Sequence, residues 1–508
     1  MIEFCFQLLA TSYMHIVVHA ASRANDPFNI QNTRLPERFP YSGVDSSFGI
    51  DLDVLKALRR EWVTDFNWKT EQDSMNQFNH YRTPIENLSI HFIYEKSLAP
   101  NAIPLLLVHG WPGSFLEFAP IIDQLTKEAT TSTGKTVSFD VIIPSLPGFA
   151  FSSPPPPSWM ITDTARVLNT LMVDVLGYET YAIHGTDWGS AVSYDMYDKF
   201  NATIGAAHFV FLPFYPQTPE ELTLGSITLS EAEQVEEQNA MNWANTGDGY
   251  FIEQSTKSNT VGLALHDNPV GQLAWLGEKF MNWSDPNTGT GPSVLNHNEI
   301  LRSVSLYYLT GTFASSILIY PQNPNTWKTE YSKARNDAPL LFSSFKYNVG
   351  FWPAKLVSKL GNLVLYRNHD FGGHFPGLDN PPALLEDLRE IGSFWKKAAS
   401  LKTPAAIICA RVEQTLQEKQ AAAERAAVQV PIIDPHLTAV SPWLELTRWP
   451  EYLRAIIWRL LDQAYHAIQN GRINESDQIQ INTFFRRPGI WNRSIQIHLR
   501  PATYHRYR

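Results

Sequence analysis

A strand-to-helix turn with an aspartate at its apex is the part of this sequence best suited to chemistry. Residues 184–189 read HGTDWG, and residues 172–183, MVDVLGYETYAI, combine a helix end, a glycine and a short apolar strand. Gly185 and Gly189 flank Asp187 at the spacing that exposes a nucleophile on a tight elbow. A carboxylate at this apex attacks carbon and forms an ester. The alternative for this motif alone is a turn aspartate bonded to its own backbone.

Two further segments of strand type end in loops that should lie beside this elbow. Residues 104–108, PLLLV, precede the loop 109–114, HGWPGS, which is of the kind that supplies a backbone N–H to an oxyanion. The N–H groups of Trp111 and Trp188 are the predicted donors. Residues 137–144 form a second predicted strand, which an LPG turn follows on the same side of the sheet.

A histidine far downstream is the predicted base. The strand 363–366 runs into RNHDFGGHF at 367–375, and the order of nucleophile, long insertion and histidine is that of the α/β-hydrolase triad. His374 would accept a proton from water, because free imidazole has a pKa of about 6.5. The two glycines before it are expected to let the loop swing the ring over the nucleophile. A buried histidine bonded to a carbonyl is the alternative, and His369 and His109 are the competing histidines.

Together these segments resemble the epoxide hydrolase family, in its microsomal-type and fungal branch. The resemblance runs from about residue 26 to about residue 398 and includes GGHF at 372–375 and the phrases GYFIEQSTKSNTVG at 249–262 and LAWLGEKF at 273–280. It implies an α/β fold, namely an α/β-hydrolase core with a mostly parallel sheet, a helical lid and an N-terminal wrapping extension. The implied activity opens an apolar epoxide to a vicinal diol through an ester on Asp187.

The resemblance also implies which residues supply the acid. Tyr250, in GYFIE, and Tyr320, in SSILIYPQ, fall where the family has its pair of lid tyrosines. A phenol that donates a proton while the carboxylate attacks lowers the barrier to ring opening. Ordinary packing is the alternative role for a tyrosine, and it is the role expected for Tyr307 and Tyr308.

The position of the triad acid departs from the family pattern. That position falls at Asn348, in FKYNVGFWP, where the family has Asp or Glu. An amide can orient the imidazole but offers no charge, and it could select the wrong tautomer. Asp370 and Asp337 are the alternative acids, although neither lies at the usual strand end. We therefore expect alkylation of Asp187 to survive and hydrolysis of the ester to be slow.

The resemblance divides the chain into six segments. Residues 51–68, DLDVLKALRREWVTDFNW, carry apolar residues at spacings of three and four, which predicts a helix packed on one face. The expected segments are an apolar leader or arm at 1–25, an N-terminal epoxide-hydrolase-type region at 26–95, the first part of the hydrolase core at 96–213, the helical lid at 214–337, the second part of the core at 338–400 and a C-terminal extension at 401–508. The extension contains strong helix formers and an arginine-rich end, and no activity is assigned to it.

Composition excludes several classes of protein. The 40 Lys and Arg residues against 50 Asp and Glu give a net charge of −10, which disfavours nucleic acid as a partner. Cys5 and Cys409 are the only cysteines, so a disulfide framework and a cysteine metal cluster are excluded. The sequence has no H-E-x-x-H, Walker or Rossmann pattern, and therefore no metal and no organic cofactor are expected.

The expected partners are a small apolar epoxide and water, and a homodimer is left open. Residues 4–22 are apolar but are interrupted by Gln7, His15 and His19. Membrane contact through residues 1–25 is one interpretation of this leader, and a partly ordered arm or a misplaced start is the other. The compartment stays open, with the cytoplasm slightly favoured.

Two other functions fit the same motifs. A haloalkane dehalogenase would use the same aspartate elbow, and Trp188 would suit a halide site, but it would not need paired lid tyrosines. A hydrolysis-impaired pseudo-enzyme or a biosynthetic ring-opening catalyst is the second alternative, and Asn348 is its main support. Chloride release separates the first from diol formation, and a stable adduct without turnover identifies the second.

Overall fold

A computed structural model of the chain describes residues 14–17, 27–38, 48–396, 479–481 and 495–497. The described residues up to 396 belong to one structural unit, and the last two short segments belong to another. The helix-forming stretches at 411–428 and 442–470, and most of residues 1–25, lie outside the described residues.

The strands alternate with helices along most of the described chain. The strands are β1 Met14–Ile16, β2 His80–Ile85, β3 Leu88–Glu95, β4 Ile103–Val108, β5 Ala129–Thr130, β6 Thr136–Val137, β7 Phe139–Pro144, β8 Tyr181–Gly185, β9 Ile204–Phe209, β10 Pro339–Tyr347, β11 Asn362–Gly373, β12 Ile479–Ile481 and β13 Ile495–Ile497.

The helices cluster before, between and after the strands. They are α1 Pro27–Asn32, α2 Leu52–Thr64, α3 Trp68–Met75, a 3₁₀-helix Phe115–Ile121, α4 Ile122–Leu125, α5 Ile161–Thr170 with a π-helical turn Leu171–Val175, α6 Asp187–Lys199, α7 Pro219–Leu224, α8 Glu231–Thr246, α9 Gly249–Leu265, α10 Pro269–Asn282, α11 His297–Thr310, α12 Phe313–Ser316, α13 Ile319–Gln322, α14 Ala354–Val357, α15 Pro376–Asp379, α16 Pro381–Arg389 and α17 Ile391–Phe394.

One sheet of nine strands organises the larger unit, in the order β1-β2-β3-β7-β4-β8-β9-β10-β11. All neighbours from β7 to β11 are parallel, whereas β1, β2, β3 and β7 pair antiparallel. Every residue of β4, IPLLLV, and of β8 is buried, as expected for parallel strands covered on both faces. The predicted α/β-hydrolase architecture with a mostly parallel sheet is confirmed. Strands β12 and β13 form a separate antiparallel pair.

The predicted helix over residues 51–68 is two helices. Asp51 caps the start of α2 by accepting hydrogen bonds from the backbone of Asp53 and Val54. The helix ends at Thr64, and Asn67 starts α3 by accepting a hydrogen bond from the N–H of Thr70. The prediction was therefore wrong at 65–67, because a local capping bond competes there with continued helical periodicity.

The chain between β9 and β10 is helical, as predicted, and we call α7 to α13 the helical insertion. Asn268 caps α10 with Pro269 in its first turn, and α11 ends at Gly311, which has a φ of +68°. Helix α9 packs against α12 and α13, which brings the helix of Tyr250 beside that of Tyr320. In the part of the chain that is described, no helix is both long and apolar enough to span a membrane.

Two predicted strands have different limits in the structure. The strand predicted over 137–144 is the separate strands β6 and β7, because β6 pairs with β5 whereas β7 pairs with β3 and β4. The loop predicted over 367–373 continues β11, since Arg367 and His369 pair with Ser343 and Phe345 of β10 in parallel register. Polar residues are tolerated in this strand because Asp387 binds both the guanidinium and the imidazole.

Replacement of Leu58 by alanine tests the packing of the N-terminal region. Leu58 lies on α2, is fully buried and belongs to the main apolar core. Its truncation should lower the free energy of unfolding by about 2–5 kcal/mol, because lost burial and a cavity both destabilise. Denaturant unfolding of the full chain measures this, with Arg60→Ala on the exposed face of the same helix expected to stay within about 0.5 kcal/mol. Equal effects for both variants would contradict this packing.

Candidate active site

The predicted elbow is present between β8 and α6. Asp187 is the first residue of α6 and has a φ of +48°, a left-handed conformation that is strained for a residue with a Cβ. A Cβ at Gly185 would lie 2.7 Å from the carbonyl oxygen of Gly189, and a Cβ at Gly189 would lie 2.0 Å from that of Val108. Both flanking positions therefore need glycine, and Asp187 is 8% exposed.

The HGWPGS loop meets the aspartate from the end of β4. The backbone N–H of Trp111 donates to Asp187 Oδ1 at 2.7 Å, and a Cβ at Gly110 would lie 2.1 Å from the same oxygen. Trp188 contributes its buried indole, whose centre lies 4.9 Å from that of the Tyr320 ring. The Trp111 N–H is thus beside the carboxylate, and the role of the Trp188 N–H stays a prediction.

His374 lies directly after β11, and its imidazole contacts the carboxylate of Asp187. Its Nε2 is 3.2 Å from Asp187 Oδ2, and its backbone N–H donates to the carbonyl of Trp283 at 2.7 Å. A Cβ at Gly373 would lie 2.4 Å from that carbonyl oxygen, while Gly372 has a φ of +104°. Gly373 therefore allows the backbone to pass close to the helical insertion, and Gly372 adopts a left-handed conformation. These two requirements explain the glycines better than the predicted movement of the loop.

Asn348, one residue past the end of β10, is the partner of the other imidazole nitrogen. Its Oδ1 lies 2.8 Å from His374 Nδ1 and also accepts from the N–H of Val349, while its Nδ2 donates to the carbonyl of Val210. These neighbours fix the amide orientation, because one requires an acceptor and the other a donor. His374 Nδ1 therefore carries a proton, and Nε2 is the ring nitrogen that faces Asp187. These contacts contradict the prediction that the amide could select the wrong tautomer. What the amide lacks is the negative charge with which a carboxylate would stabilise protonated His374.

The alternative acids do not contact the imidazole. Asp370 is exposed on β11, and the exposed Asp337 forms an ion pair with Lys333 at 2.6 Å. Neither has a hydrogen bond to His374 among the described residues. Of these three candidates, Asn348 is therefore the one that contacts the imidazole of His374.

The competing histidines have other partners. His369 Nε2 lies 2.6 Å from the buried carboxylate of Asp387. His109 Nε2 accepts from the N–H of Leu146, and burial lowers the pKa of His109 to about 4. His109 is thus a neutral structural residue of the oxyanion loop, as predicted for it, and His374 is the histidine on Asp187.

The two tyrosines of the helical insertion converge above the elbow. The Tyr250 ring stacks on Trp111 with centres 5.3 Å apart, and the Tyr320 ring lies edge-on to Trp111 and to Tyr250 at 5.8 and 6.1 Å. Burial, together with the nearby charge of Asp187, raises the pKa of both phenols well above the usual value. Both are therefore protonated donors near neutral pH. The hydroxyl of Tyr320 is buried, and it lies close enough to Tyr250 and Trp188 for both to influence its pKa.

The site contains residues to which the sequence analysis gave no role. Tyr307, expected only to pack, donates its hydroxyl to the carbonyl of Gly113 at 2.8 Å and so braces the oxyanion loop. Glu117 is buried behind that loop, and burial followed by the charge of Asp187 raises its pKa well above the usual value. Lys279 places its ammonium 5.2 Å from the centre of the Tyr250 ring. A lysine three residues after Leu276 on an apolar helix face is the signal that could have revealed it.

No group of three or more His, Cys, Asp or Glu side chains within the described ranges could hold a metal ion. The carboxylate of Asp187, the imidazole of His374 and the phenols of Tyr250 and Tyr320 together form an acid–base and nucleophilic set. Such a set suits displacement at an electrophilic carbon, with proton donation to the leaving oxygen.

Comparison with known proteins agrees with this geometry. Residues 16–118 match the epoxide hydrolase N terminus family, and residues 103–265 match the alpha/beta hydrolase fold family. A Stigmatella aurantiaca protein whose name assigns it to the epoxide hydrolases is 37% identical over 361 residues, covering 70% of this chain and 79% of the relative. The chain belongs to the epoxide hydrolase family. The activity of this enzyme is accordingly that of an epoxide hydrolase, with an epoxide and water as substrates.

Similarity within the epoxide hydrolases extends to animal and fungal members. Epoxide hydrolase 1 of Sus scrofa is 31% identical over 368 residues, covering 68% of this chain and 80% of the relative. The solved structure of Aspergillus niger epoxide hydrolase matches with a TM-score of 0.64 and 32% identity, covering 75% of this chain and 96% of that one. Membership of this family, together with the paired phenols, decides against the haloalkane dehalogenase alternative.

Proposed function

We propose that this epoxide hydrolase opens an apolar epoxide through a covalent ester on Asp187 and hydrolyses that ester slowly. The observation that carries the proposal is that one carboxylate lies beside a backbone donor, an imidazole and two phenols. Asp187 accepts the Trp111 N–H, lies 3.2 Å from His374 Nε2 and is close enough to Tyr250 and Tyr320 to raise the pKa of both. A nucleophile, a base and acids thus converge on one point.

Ring opening uses the carboxylate and a phenol together. An oxygen of Asp187 attacks a ring carbon, the bond from that carbon to the epoxide oxygen breaks, and a tyrosine proton moves to that oxygen. The products of this step are a neutral hydroxy-ester on Asp187 and a tyrosinate. The position of Tyr320 supports this arrangement, because its hydroxyl is buried and interacts electrostatically with both Tyr250 and Asp187.

Hydrolysis uses the imidazole. Esterification removes the charge of Asp187, so His374 Nε2 can accept a proton from water while the water oxygen attacks the ester carbon. The Trp111 N–H stabilises the resulting oxyanion, with the Trp188 N–H as the second proposed donor. The bond to the diol oxygen then breaks. One water proton leaves on the diol and the other restores the tyrosine, so the balance of atoms and charge is closed.

The substrate is proposed to be apolar, because aromatic rings surround the carboxylate. The indoles of Trp111 and Trp188 are buried, and the rings of Phe251 and Trp327 lie 6.4 and 5.2 Å from that of Trp188. Such walls bind hydrocarbon substituents and leave few partners for polar ones. Two other aromatic side chains, those of Trp275 and Phe149, have partners of their own. Trp275 donates to Gln254, and the Phe149 ring contacts His109 and Tyr307.

A ring-opening catalyst with impaired hydrolysis is the second candidate, and the Asn348 contact favours it. The amide orients His374 but cannot stabilise the imidazolium that forms when water is deprotonated. Membrane contact through residues 1–25 and homodimer formation are further proposals that rest on the sequence alone.

Replacement of Asp187 by asparagine tests the proposed nucleophile. The variant should form neither protein adduct nor diol, because a neutral amide does not displace the epoxide oxygen at a useful rate. Mass spectrometry of the protein mixed briefly with styrene oxide, and measurement of styrene diol, provide the two readouts. Diol formation at the parent rate, after deamidation back to aspartate has been excluded, would show that another residue is the nucleophile.

A series at residue 348 tests the proposed slow step. Pre-steady-state kinetics of the parent should show rapid formation of the ester and slow release of the diol. Asn348→Asp should accelerate the slow phase, by up to the roughly 10⁴-fold effect of the same pair of residues in a serine protease triad, and leave the fast phase unchanged. The gain is reduced if the new carboxylate must rotate away from the Val210 carbonyl, which the amide contacts now.

Two further variants control for orientation and for charge. Asn348→Ala should slow hydrolysis below the parent rate, since it removes the acceptor that orients His374. Asn242→Asp adds the same charge on the exposed face of α8 and should change neither phase. Absence of ester build-up in the parent, with hydrolysis unchanged by Asn348→Asp, would contradict the proposal.

A further inference from the structure

A lysine is buried among the aromatic side chains that hold one of the two phenols. Lys279 lies on α10, its side chain is 6% exposed, and its Nζ is 5.2 Å from the centre of the Tyr250 ring and 5.4 Å from that of Trp275. Its carboxylate partner is the adjacent Glu278, at 2.9 Å. Within the described part of the chain, no lysine or arginine has a comparable contact with the Tyr320 ring.

A buried ammonium at this position is costly if it serves only packing. Desolvation disfavours the charged form and lowers the pKa of Lys279, whereas Glu278 opposes that shift. The surrounding face of α10 is mainly apolar, with Leu273, Leu276 and Phe280 buried, and its other buried polar side chain, Gln272, donates to the carbonyl of Leu265. An apolar side chain would fill the same space without a desolvation cost. The cation therefore needs an electrostatic role or a specific structural one.

We propose that Lys279 is a positioning residue that stabilises negative charge on Tyr250, so that Tyr250 transfers the proton to the opening epoxide and Tyr320 only donates a hydrogen bond. A cation above an aromatic face is attracted more strongly as the ring gains electron density, and a phenolate gains density as the proton leaves. This inference rests on the function proposed above. It adds the assignment of unequal roles to the two phenols.

The slow second half-reaction makes such a cation useful. When the ester forms, the proton that leaves Tyr250 goes to the product hydroxyl, and no proton returns until water is cleaved. The charge that Asp187 loses thus stays on a buried phenolate for the lifetime of the ester. Asn348 prolongs that lifetime in the proposed mechanism. Lys279 is then the nearby counter-charge, and it requires no proton transfer of its own.

Variants of Lys279 in three backgrounds test the proposal. Lys279→Met removes the charge and retains the length, and ester formation on Asp187 with styrene oxide is measured in a single turnover. The rate should fall on the order of tenfold in the parent, equivalent to about 1.4 kcal/mol in the barrier. The loss should be larger with Tyr320→Phe, where Tyr250 is the remaining donor, and absent with Tyr250→Phe, which keeps the ring but has no proton.

Controls separate charge from packing. Lys279→Arg should recover most of the rate, because it restores a cation above the ring. Lys96→Met removes an exposed lysine whose Nζ lies 5.4 Å from the Tyr94 ring, away from the site, and should have no effect. If Lys279→Met does not fold, as judged by thermal unfolding, Lys279→Gln is measured in the same three backgrounds.

A matched pair of epoxides distinguishes the loss of the lysine charge from a displacement of the Tyr250 ring, because a displaced ring would slow both epoxides equally. Trifluoromethyloxirane yields a less basic alkoxide than methyloxirane and needs less help from an acid. The deficit of Lys279→Met should therefore be smaller for the fluorinated epoxide. An equal deficit for both epoxides, or a deficit that persists with Tyr250→Phe, would overturn the role of Lys279.

Failure of this inference can be distinguished from failure of the proposed function. If the parent forms no ester on Asp187, or if the double variant Tyr250→Phe, Tyr320→Phe forms it at the parent rate, the proposed mechanism itself is wrong. If the ester forms and the tyrosine variants slow it, but the loss from Lys279→Met is the same in every background, only the inference about Lys279 fails.

Discussion

The whole site depends on holding a carboxylate, almost out of solvent, in a strained backbone conformation. Asp187 has a φ of +48°, and residues in such sparsely populated regions cost about 1–3 kcal/mol. A buried carboxylate also requires donors. The Trp111 N–H meets one oxygen of Asp187, and the space for that contact exists only because residue 110 is glycine. The buried parallel strands β4 and β8 supply the rigid base from which both loops project.

Asn348 orients the imidazole of His374 but cannot stabilise its protonated form, whereas a carboxylate would do both. The fixed amide keeps the proton of His374 on Nδ1, so the imidazole has the orientation and tautomer that deprotonation of water requires. The charge that would stabilise the imidazolium is missing. In the proposed mechanism, the first half-reaction does not use the imidazole as a base, so an amide at residue 348 leaves it unaffected. In the proposed mechanism, alkylation is efficient and release of the diol is slow, and Lys279 lies beside the phenol that carries the negative charge while the ester persists.

Where short motifs fix the backbone, the structure has the turns that the sequence predicted. The glycines around Asp187 and before His374 and the apolar strand before residue 109 specify turns and close approaches, and these features form in the structure. The first and last residues of the helices and strands were predicted less well. Arg367 and His369 look like loop residues, but the buried Asp387, some twenty residues later, satisfies both within β11. Such long-range pairing has no local sequence signal.

Interactions between distant segments were also the ones that the sequence could not predict. The hydrogen bond from Tyr307 to Gly113 joins the helical insertion to the HGWPGS loop, and the contact of Lys279 with Tyr250 joins two helices within the insertion. Both depend on how those helices pack. The amide orientation of Asn348 depends on the carbonyl of Val210, at the end of a different strand. The residue types at these positions could be recognised, but their partners could not.

A single turnover in water enriched in the heavy isotope of oxygen tests the central claim most directly. If the epoxide is opened by an oxygen of Asp187 and water attacks the ester carbon, the diol of the first turnover carries no heavy oxygen. The label then appears in the peptide that contains Asp187. Heavy oxygen in the first diol, with none in that peptide, would mean that water attacks the epoxide directly and would contradict the covalent mechanism.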